Sequence, residues 1–132
     1  MFQYFCVDDW VPADHLLRAI DRHIDLRTIR DQLRPLYSDI GRPSIDPEVL
    51  VRILLIGDFY GITGERRLLD EIGLNLAYRW FTGLSFDQAI PDHSSSSKNR
   101  HGRFRDSTLF RDLFESIIRK CIEVGLRYRR RR

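Results

Sequence analysis

The sequence is short of lysine and of long apolar runs, and it has no N-terminal signal pattern. Lysine occurs only as Lys98 and Lys120, so all Lys and Arg residues before Lys98 are arginines. No stretch reaches the roughly 18 apolar residues that a membrane-spanning helix needs. The first twenty residues include Asp8, Asp9 and Asp14 and lack a basic start followed by an apolar run, which excludes a secretory signal.

Cysteine is also scarce. Cys6 and Cys121 lie far apart and outside any metal-ligand spacing. We expect two reduced thiols in a cytoplasmic protein, with a surface disulfide as the alternative.

Charge is present in quantity and is unevenly distributed along the chain. The 132 residues fit one domain, and 42% hydrophobic with 31% charged residues is typical of a globular chain. The net charge of +3 divides into −5 for residues 1–97 (10 Arg, 15 acids) and +8 for residues 98–132 (12 Lys and Arg, 4 acids). Such asymmetry favours a polyanionic partner. The alternative is that Arg129 to Arg132 only solvate the C-terminus, although residues 98–128 still carry +4.

Apolar residues recur at helical spacing along most of the chain. A first helix is expected to open at Pro12-Ala13-Asp14, and a second, short one to be bounded by Pro35. Asp46-Pro47-Glu48 predicts a strong helix start. The apolar run 49–56 behind it favours a buried helix over the alternative of a buried strand.

The later helices are predicted from their ends. Glycine is expected to close them at Gly73, Gly83 and Gly125, while Asn75 and Ser107 are expected to cap starts. The predicted fold is all-α, a compact bundle of about seven helices without a sheet. Its expected core includes Leu17, Ile20, Leu50, Leu54, Leu69, Trp80, Phe110, Leu113 and Ile117.

No catalytic or metal-binding pattern emerges. His15 and His23 are eight residues apart on what we take to be solvent-facing sides of the first helix, and His93 and His101 are equally far apart. The carboxylates are dispersed, and no phosphate-binding loop or nucleophile motif occurs. We therefore predict no cofactor, no metal and no enzymatic activity.

Residues 92–105 are the candidate DNA-binding segment. If a helix begins at Asp92, its first turn offers hydroxyls and free amides to phosphate oxygens, and the following cations and amide can reach phosphates and base edges. The predicted DNA-contacting residues are Ser94, Ser97, Lys98, Asn99, Arg100, Arg103 and Arg105. The alternative is a basic surface helix that binds nothing.

A rival DNA-binding candidate, with the pattern of a helix-turn-helix, lies upstream. Residues 65–72, a turn at 73–75 and residues 76–82 match the required pattern. Its second helix offers only Arg79 as a cation, beside Tyr78, Trp80 and Phe81, a composition typical of a core. The later segment is therefore preferred.

Ordered blocks of the sequence resemble a known family. The blocks are Pro12-Ala13-Asp14-His15-Leu16-Leu17, Gly41-Arg42-Pro43-Ser44-Ile45-Asp46-Pro47-Glu48, Gly64-Glu65-Arg66-Arg67-Leu68, Leu74-Asn75-Leu76-Ala77-Tyr78-Arg79-Trp80-Phe81, and Pro91-Asp92-His93-Ser94 resuming at Ser97-Lys98-Asn99-Arg100-His101-Gly102-Arg103-Phe104. Over residues 12–126 the chain resembles the N-terminal helical domain of bacterial insertion-sequence DDE transposases of the insertion sequence five type. The resemblance implies binding to the terminal inverted repeats of a mobile element.

The sequence departs from the family pattern in two places. The family has an aromatic residue where Ser96 stands, so a buried anchor of the segment is missing. The family's strand with the first catalytic aspartate would follow Gly125-Leu126, where this chain continues into arginines. We therefore expect a domain at 1–126, a disordered basic tail at 127–132, and a truncated product without the catalytic carboxylates.

The resemblance implies a bacterial, nucleoid-associated protein whose partner is double-stranded DNA at insertion-sequence ends. The alternatives are a dimerisation module, pairing with a full-length transposase as an inhibitor, and a decayed fragment.

Overall fold

The computed structural model describes residues 7–37, 46–84 and 108–126, and within them every regular element is helical. A short 3-10 helix, Val7–Trp10, precedes α1 (Leu16–His23), α2 (Ile29–Gln32), α3 (Arg34–Tyr37), α4 (Pro47–Tyr60), α5 (Glu65–Leu74), α6 (Leu76–Thr82) and α7 (Thr108–Glu123). The predicted all-α class is confirmed. In this described part, no helix combines the length and apolarity required to cross a membrane.

The central element is α4, and its start follows the expected pattern. The Asp46 side chain accepts a hydrogen bond from the Glu48 backbone N–H at 2.9 Å, and Pro47 occupies the first turn. The helix packs against α2, α5 and α6. Its buried side chains lie on most sides, as expected for a surrounded helix: Leu50, Val51, Ile53, Leu55, Ile56 and Phe59. The strand alternative for residues 49–56 is therefore wrong.

The amphipathic helices α1 and α7 contribute one face each to the same core. Leu17 and Ile20 of α1 are fully buried. On α7 the buried residues are Phe110, Ile117 and Cys121. All five belong to one cluster of buried side chains, so α7 shares the core that α1 and α4 build.

Helix α1 begins later than the expected opening at residues 12–14. The His15 N–H donates to the Pro12 carbonyl at 3.1 Å, so these residues form a turn. His15 is extended and caps α1, its Nδ1 accepting from the Leu17 N–H at 3.1 Å. A histidine predicted to face solvent is thus half-buried and holds a helix start.

Three helices end in the same way, with a left-handed glycine followed by an apolar residue. The glycines are Gly61, Gly83 and Gly125, with φ of 66°, 80° and 86°. After each, the next N–H reaches back to a carbonyl of the last turn: Ile62 to Gly57 at 3.0 Å, Leu84 to Arg79 at 3.0 Å, and Leu126 to Cys121 at 2.8 Å. The three apolar residues pack against the core. The predicted ends at Gly83 and Gly125 are confirmed.

The second helix ends before Pro35, as expected, since α2 stops at Gln32 and Pro35 lies in the first turn of a separate helix, α3, where its missing N–H is not needed. The predicted end at Gly73 is wrong. Gly73 lies inside α5, which continues through Leu74. Asn75 is extended and breaks the helix there, while its side chain accepts from the Tyr78 N–H at 3.1 Å and starts α6 at once. The Gly73 carbonyl accepts from Arg79 Nε at 3.0 Å, so a side chain satisfies the end of α5 without a left-handed glycine.

The predicted core is confirmed for six of its nine residues. Leu54, Trp80 and Leu113 are half-buried and pack against the cluster from outside. Trp80 stays at the edge because its indole N–H donates to Asp8 Oδ1 at 2.8 Å and the Arg18 guanidinium lies 4.5 Å from its ring centroid.

Candidate nucleic-acid interface

The predicted DNA-contacting residues fall outside the described part of the chain. Ser94, Ser97, Lys98, Asn99, Arg100, Arg103 and Arg105 all lie between residues 85 and 107, as does Ser96, so their assignment stays a prediction. The expected helix starts at Asp92 and Ser107 and the tail at 127–132 lie outside it as well.

The structure does describe both elements that flank this segment. On one side, Leu84 packs against the core after the glycine end of α6. On the other side, Phe110 in the first turn of α7 is buried. The described elements on both sides of the segment, α6 and α7, therefore belong to the same core.

The upstream helix-turn-helix candidate is not built like a DNA-reading element. Its second helix, α6, packs against the N-terminal 3-10 helix and against α1, α4 and α5. Tyr78, Phe81 and Thr82 are buried, and the Thr82 hydroxyl donates to the Tyr78 carbonyl at 2.9 Å. Its one cation, Arg79, donates to the Gly73 carbonyl. A recognition helix exposes several side chains to a groove, whereas α6 is an interior helix, as its composition indicated.

Many cations of the described residues are already neutralised by carboxylates. Of 22 Lys and Arg residues, 12 lie in the described part, against 15 of the 19 acids, so this part carries −3 and the rest of the chain +6. At least six of the twelve take part in ion pairs: Arg18, Arg27, Arg30, Arg34, Arg52 and Arg67. The cationic excess of the chain lies in its other residues.

Arg52 is the centre of the more buried of two arginine clusters, and its side chain is only 11% exposed. It donates to Glu48 Oε2 at 3.0 Å, to the Phe81 carbonyl at 2.9 Å and to Asp21 Oδ1 at 2.9 Å. Its guanidinium also lies 4.8 Å from the Phe81 ring centroid. One side chain thus joins α1, α4 and α6. The signal for this role was visible in the sequence, since Arg52 is the one charged residue in the apolar run 49–56.

Arg30 extends this cluster to α2. It pairs with Asp46 at 2.6 Å and approaches Glu48 Oε1 at 3.7 Å. Residues of this cluster line a cavity of about 390 Å³. Both arginines that line the cavity, Arg30 and Arg52, are paired with carboxylates, so neither offers an uncompensated positive charge to an anion.

Arg18 holds the second cluster, which fastens the N-terminal segment to the bundle. Its guanidinium donates to the Asp8 carbonyl at 2.6 Å, to Asp8 Oδ1 at 3.1 Å and to the Val11 carbonyl at 3.0 Å. The same carboxylate accepts from the Trp80 indole. No local pattern could have revealed this contact, because Asp8 and Trp80 are 72 residues apart.

The titratable groups of the described residues include no cluster that could bind a metal ion. No three His, Cys, Asp or Glu side chains of residues 7–37, 46–84 and 108–126 are placed to hold a metal ion. Cys121 is a free thiol, and burial raises its pKa to about 11. Burial also raises the pKa of Tyr60 to about 12, and its ring lies 5.2 Å from that of Tyr78. These groups stay protonated at neutral pH. Cys6 lies outside the described residues.

Comparison with known families decides which class of protein this is. The sequence matches a family described as Transposase domain (DUF772) over residues 5–102, more than half of the chain. The chain belongs to this transposase domain family. Neither the curated proteins nor the solved structures provide a match. The matched range includes α1 to α6 and extends through Ser94 to Arg100, whereas Arg103, Arg105 and α7 lie beyond it.

The family match confirms the resemblance on which the sequence interpretation depended. It supports a transposase-related role for the domain. In addition, the structure shows that α7, which follows the matched residues, supplies buried side chains to the same core.

Proposed function

We propose that this transposase domain binds double-stranded DNA at the terminal inverted repeats of an insertion sequence, through residues 92–105. Membership of the transposase domain family is the observation that carries the proposal. Two further observations favour this segment over the elements that the structure describes. Residues 98–105 hold four cations and no acid. The upstream candidate helix α6 is interior, and at least half of the described cations are paired with carboxylates.

The proposed contacts divide into two kinds. Ser94 and Ser97 offer hydroxyls to phosphate oxygens, while Arg103 and Arg105 neutralise phosphates further along. Lys98, Asn99 and Arg100 reach base edges, where arginine suits guanine and asparagine suits adenine, and the charges of Lys98 and Arg100 also neutralise the phosphates beside those bases. Phosphate contacts set affinity and position, and base contacts set the preference for the element's ends.

We propose further that residues 1–132 do not cut or join DNA. Metal-dependent phosphoryl transfer needs carboxylates clustered around its metals, and the family resemblance places those carboxylates after residues 125–126. Incubation of the pure protein with magnesium or manganese and supercoiled plasmid should leave the plasmid intact. Nicking that disappears when one acidic residue is replaced would overturn this part of the proposal.

The DNA-binding proposal is tested by the salt dependence of affinity. If Lys98, Arg100, Arg103 and Arg105 each neutralise one phosphate, the log–log slope against salt should include roughly −3.6, at about −0.9 per contact. The variant K98A/R100A/R103A/R105A should lose most of that slope and any preference for the element's ends. Fluorescence anisotropy with an end-sequence duplex and a scrambled duplex measures both.

A matched control separates this effect from the loss of net charge. Arg22, Arg27, Arg66 and Lys120 are exposed cations of α1, the α1–α2 turn, α5 and α7. R22A/R27A/R66A/K120A removes the same four charges and should leave the slope and the preference near those of the unaltered chain. Deletion of residues 127–132 should weaken binding to both duplexes alike. If that deletion abolishes binding while the four-alanine variant at 98–105 binds normally, the assignment to 92–105 is wrong.

A further inference from the structure

Helix α7 keeps an apolar edge exposed although its central stripe is buried. Phe110, Ile117 and Cys121 face the core. Ile122 is 56% exposed, and Ile118, one turn earlier, is half-buried. Residues four apart lie on the same side of a helix, so these two isoleucines form one row along its edge.

The row continues toward the start of α7 through Phe114, which is also half-buried. There Phe114 lines a cavity of about 480 Å³ between α7, the end of α4 and the start of α5, with Leu54, Leu68 and Phe110 among its apolar walls. The exposed apolar surface therefore extends from the cavity mouth along the edge of α7 to Ile122.

The charges beside this row are self-complementary. Glu115 and Arg119 are exposed and four residues apart, and neither is ion-paired with another residue in the described part of the chain. In a parallel pairing of two α7 helices, each of these residues would face its own counterpart and like charges would meet. In an antiparallel pairing about a two-fold axis near Ile118, Glu115 faces Arg119 of the second copy, and Phe114 faces Ile122.

We propose that the exposed edge of α7 is a homodimerisation surface on which α7 of a second copy packs antiparallel, with its two-fold axis near Ile118. A two-fold interface requires that residue i meets j and j meets i. The apolar pair is centred on residue 118 and the ionic pair on residue 117, and this offset of one residue, about 1.5 Å along the helix, is small enough for one antiparallel packing to bring both pairs together. The helix is about 24 Å long at 1.5 Å per residue.

The test measures molar mass without DNA, by sedimentation equilibrium across a range of protein concentrations. The mass should rise from 15.7 kDa toward twice that value. Ile122→Asp should abolish the rise. The matched control is Leu74→Asp at a site that is 88% exposed on α5, and it should leave the rise unchanged.

Charge reversal makes the test specific for the register. Glu115→Arg alone and Arg119→Glu alone each place like charges across the axis twice, and each should weaken the dimer roughly tenfold or more. The double variant E115R/R119E restores opposite charges and should restore the dimer. A chain that stays monomeric at every concentration would overturn the proposal, as would single reversals that leave the dimer unaffected. Circular dichroism of each variant checks that it folds, and the readout does not depend on DNA binding.

Discussion

At the scale of single residues, the cap of α1 makes stability depend on pH. Burial lowers the pKa of His15 below its ordinary value of 6.5, and the Nδ1 atom that caps Leu17 must be unprotonated to accept. The folded chain therefore favours the neutral ring. Its contribution to stability is complete above the unfolded pKa and is lost as the pH falls through the folded pKa. Urea unfolding at pH 8 and pH 5 should show this loss for the unaltered chain.

The control is His15→Asn, which keeps an acceptor at the cap but does not titrate. Its stability at pH 8 should be close to that of the unaltered chain, and its decline toward pH 5 should be smaller. His15→Ala should cost about 1 kcal/mol at pH 8, because an N-cap is lost, and less at pH 5. If the asparagine variant declines as steeply as the unaltered chain, His15 is not the titrating cap.

At the scale of elements, the glycine end of α6 fixes where residues 85–107 leave the core. Gly83 has φ of 80°, and a Cβ there would meet no atom within 4 Å, so substitution costs conformational strain and not a clash. Gly83→Ala should therefore destabilise the fold by about 1–2 kcal/mol. Gly83→Asn should cost less, since asparagine tolerates this conformation. Thermal unfolding of both variants gives the comparison, and equal losses would contradict the strain argument.

Helix starts and ends were predictable where their partners are close in sequence. Asp46-Pro47 starts α4 and Gly83 ends α6 through contacts within a few residues. The end predicted at Gly73 was wrong because the composition of α5 gives no sign that the Arg79 side chain donates to the Gly73 carbonyl. Trp80 was placed in the core by its apolar character, but a carboxylate 72 residues earlier holds its indole at the edge. Contacts of that kind depend on tertiary packing and leave no local pattern.

At the scale of the whole molecule, two arginines join elements that are distant in sequence. Arg18 fastens residues 8–11 to α1 and α6, and Arg52 fastens α1 and α6 to α4. The sequence predicted the uneven distribution of charge but not this use of it. Whether a given arginine pairs within the fold or remains available to DNA depends on the tertiary position of its carboxylate partners. The DNA-contacting assignment at 94–105 consequently depends on the binding experiments.

Arg52 should be among the most costly charged residues of the described chain to replace. Arg52→Met keeps the apolar stem but leaves the Phe81 carbonyl without its donor and Glu48, 17% exposed, with only the more distant Arg30 at 3.7 Å. Removing one partner of a buried pair costs about 3–5 kcal/mol, and the value here should lie near the lower limit, about 3 kcal/mol, because Asp21 is 41% exposed. Arg52→Lys should lower the free energy of unfolding by less than Arg52→Met does. It should still destabilise the fold, since one ammonium cannot reproduce a planar donor shared by three acceptors.

Arg67 is the matched control for Arg52, because it also pairs with a glutamate four residues away, Glu71, at 3.0 Å. Its side chain is 68% exposed and its partner's 37%, so solvent screens the pair. Arg67→Met should then cost only about 0.3–0.5 kcal/mol, as exposed helical pairs do. Urea denaturation of both variants measures the difference. Similar losses at the two positions would show that Arg52 acts as one more surface pair and does not hold α1, α4 and α6 together.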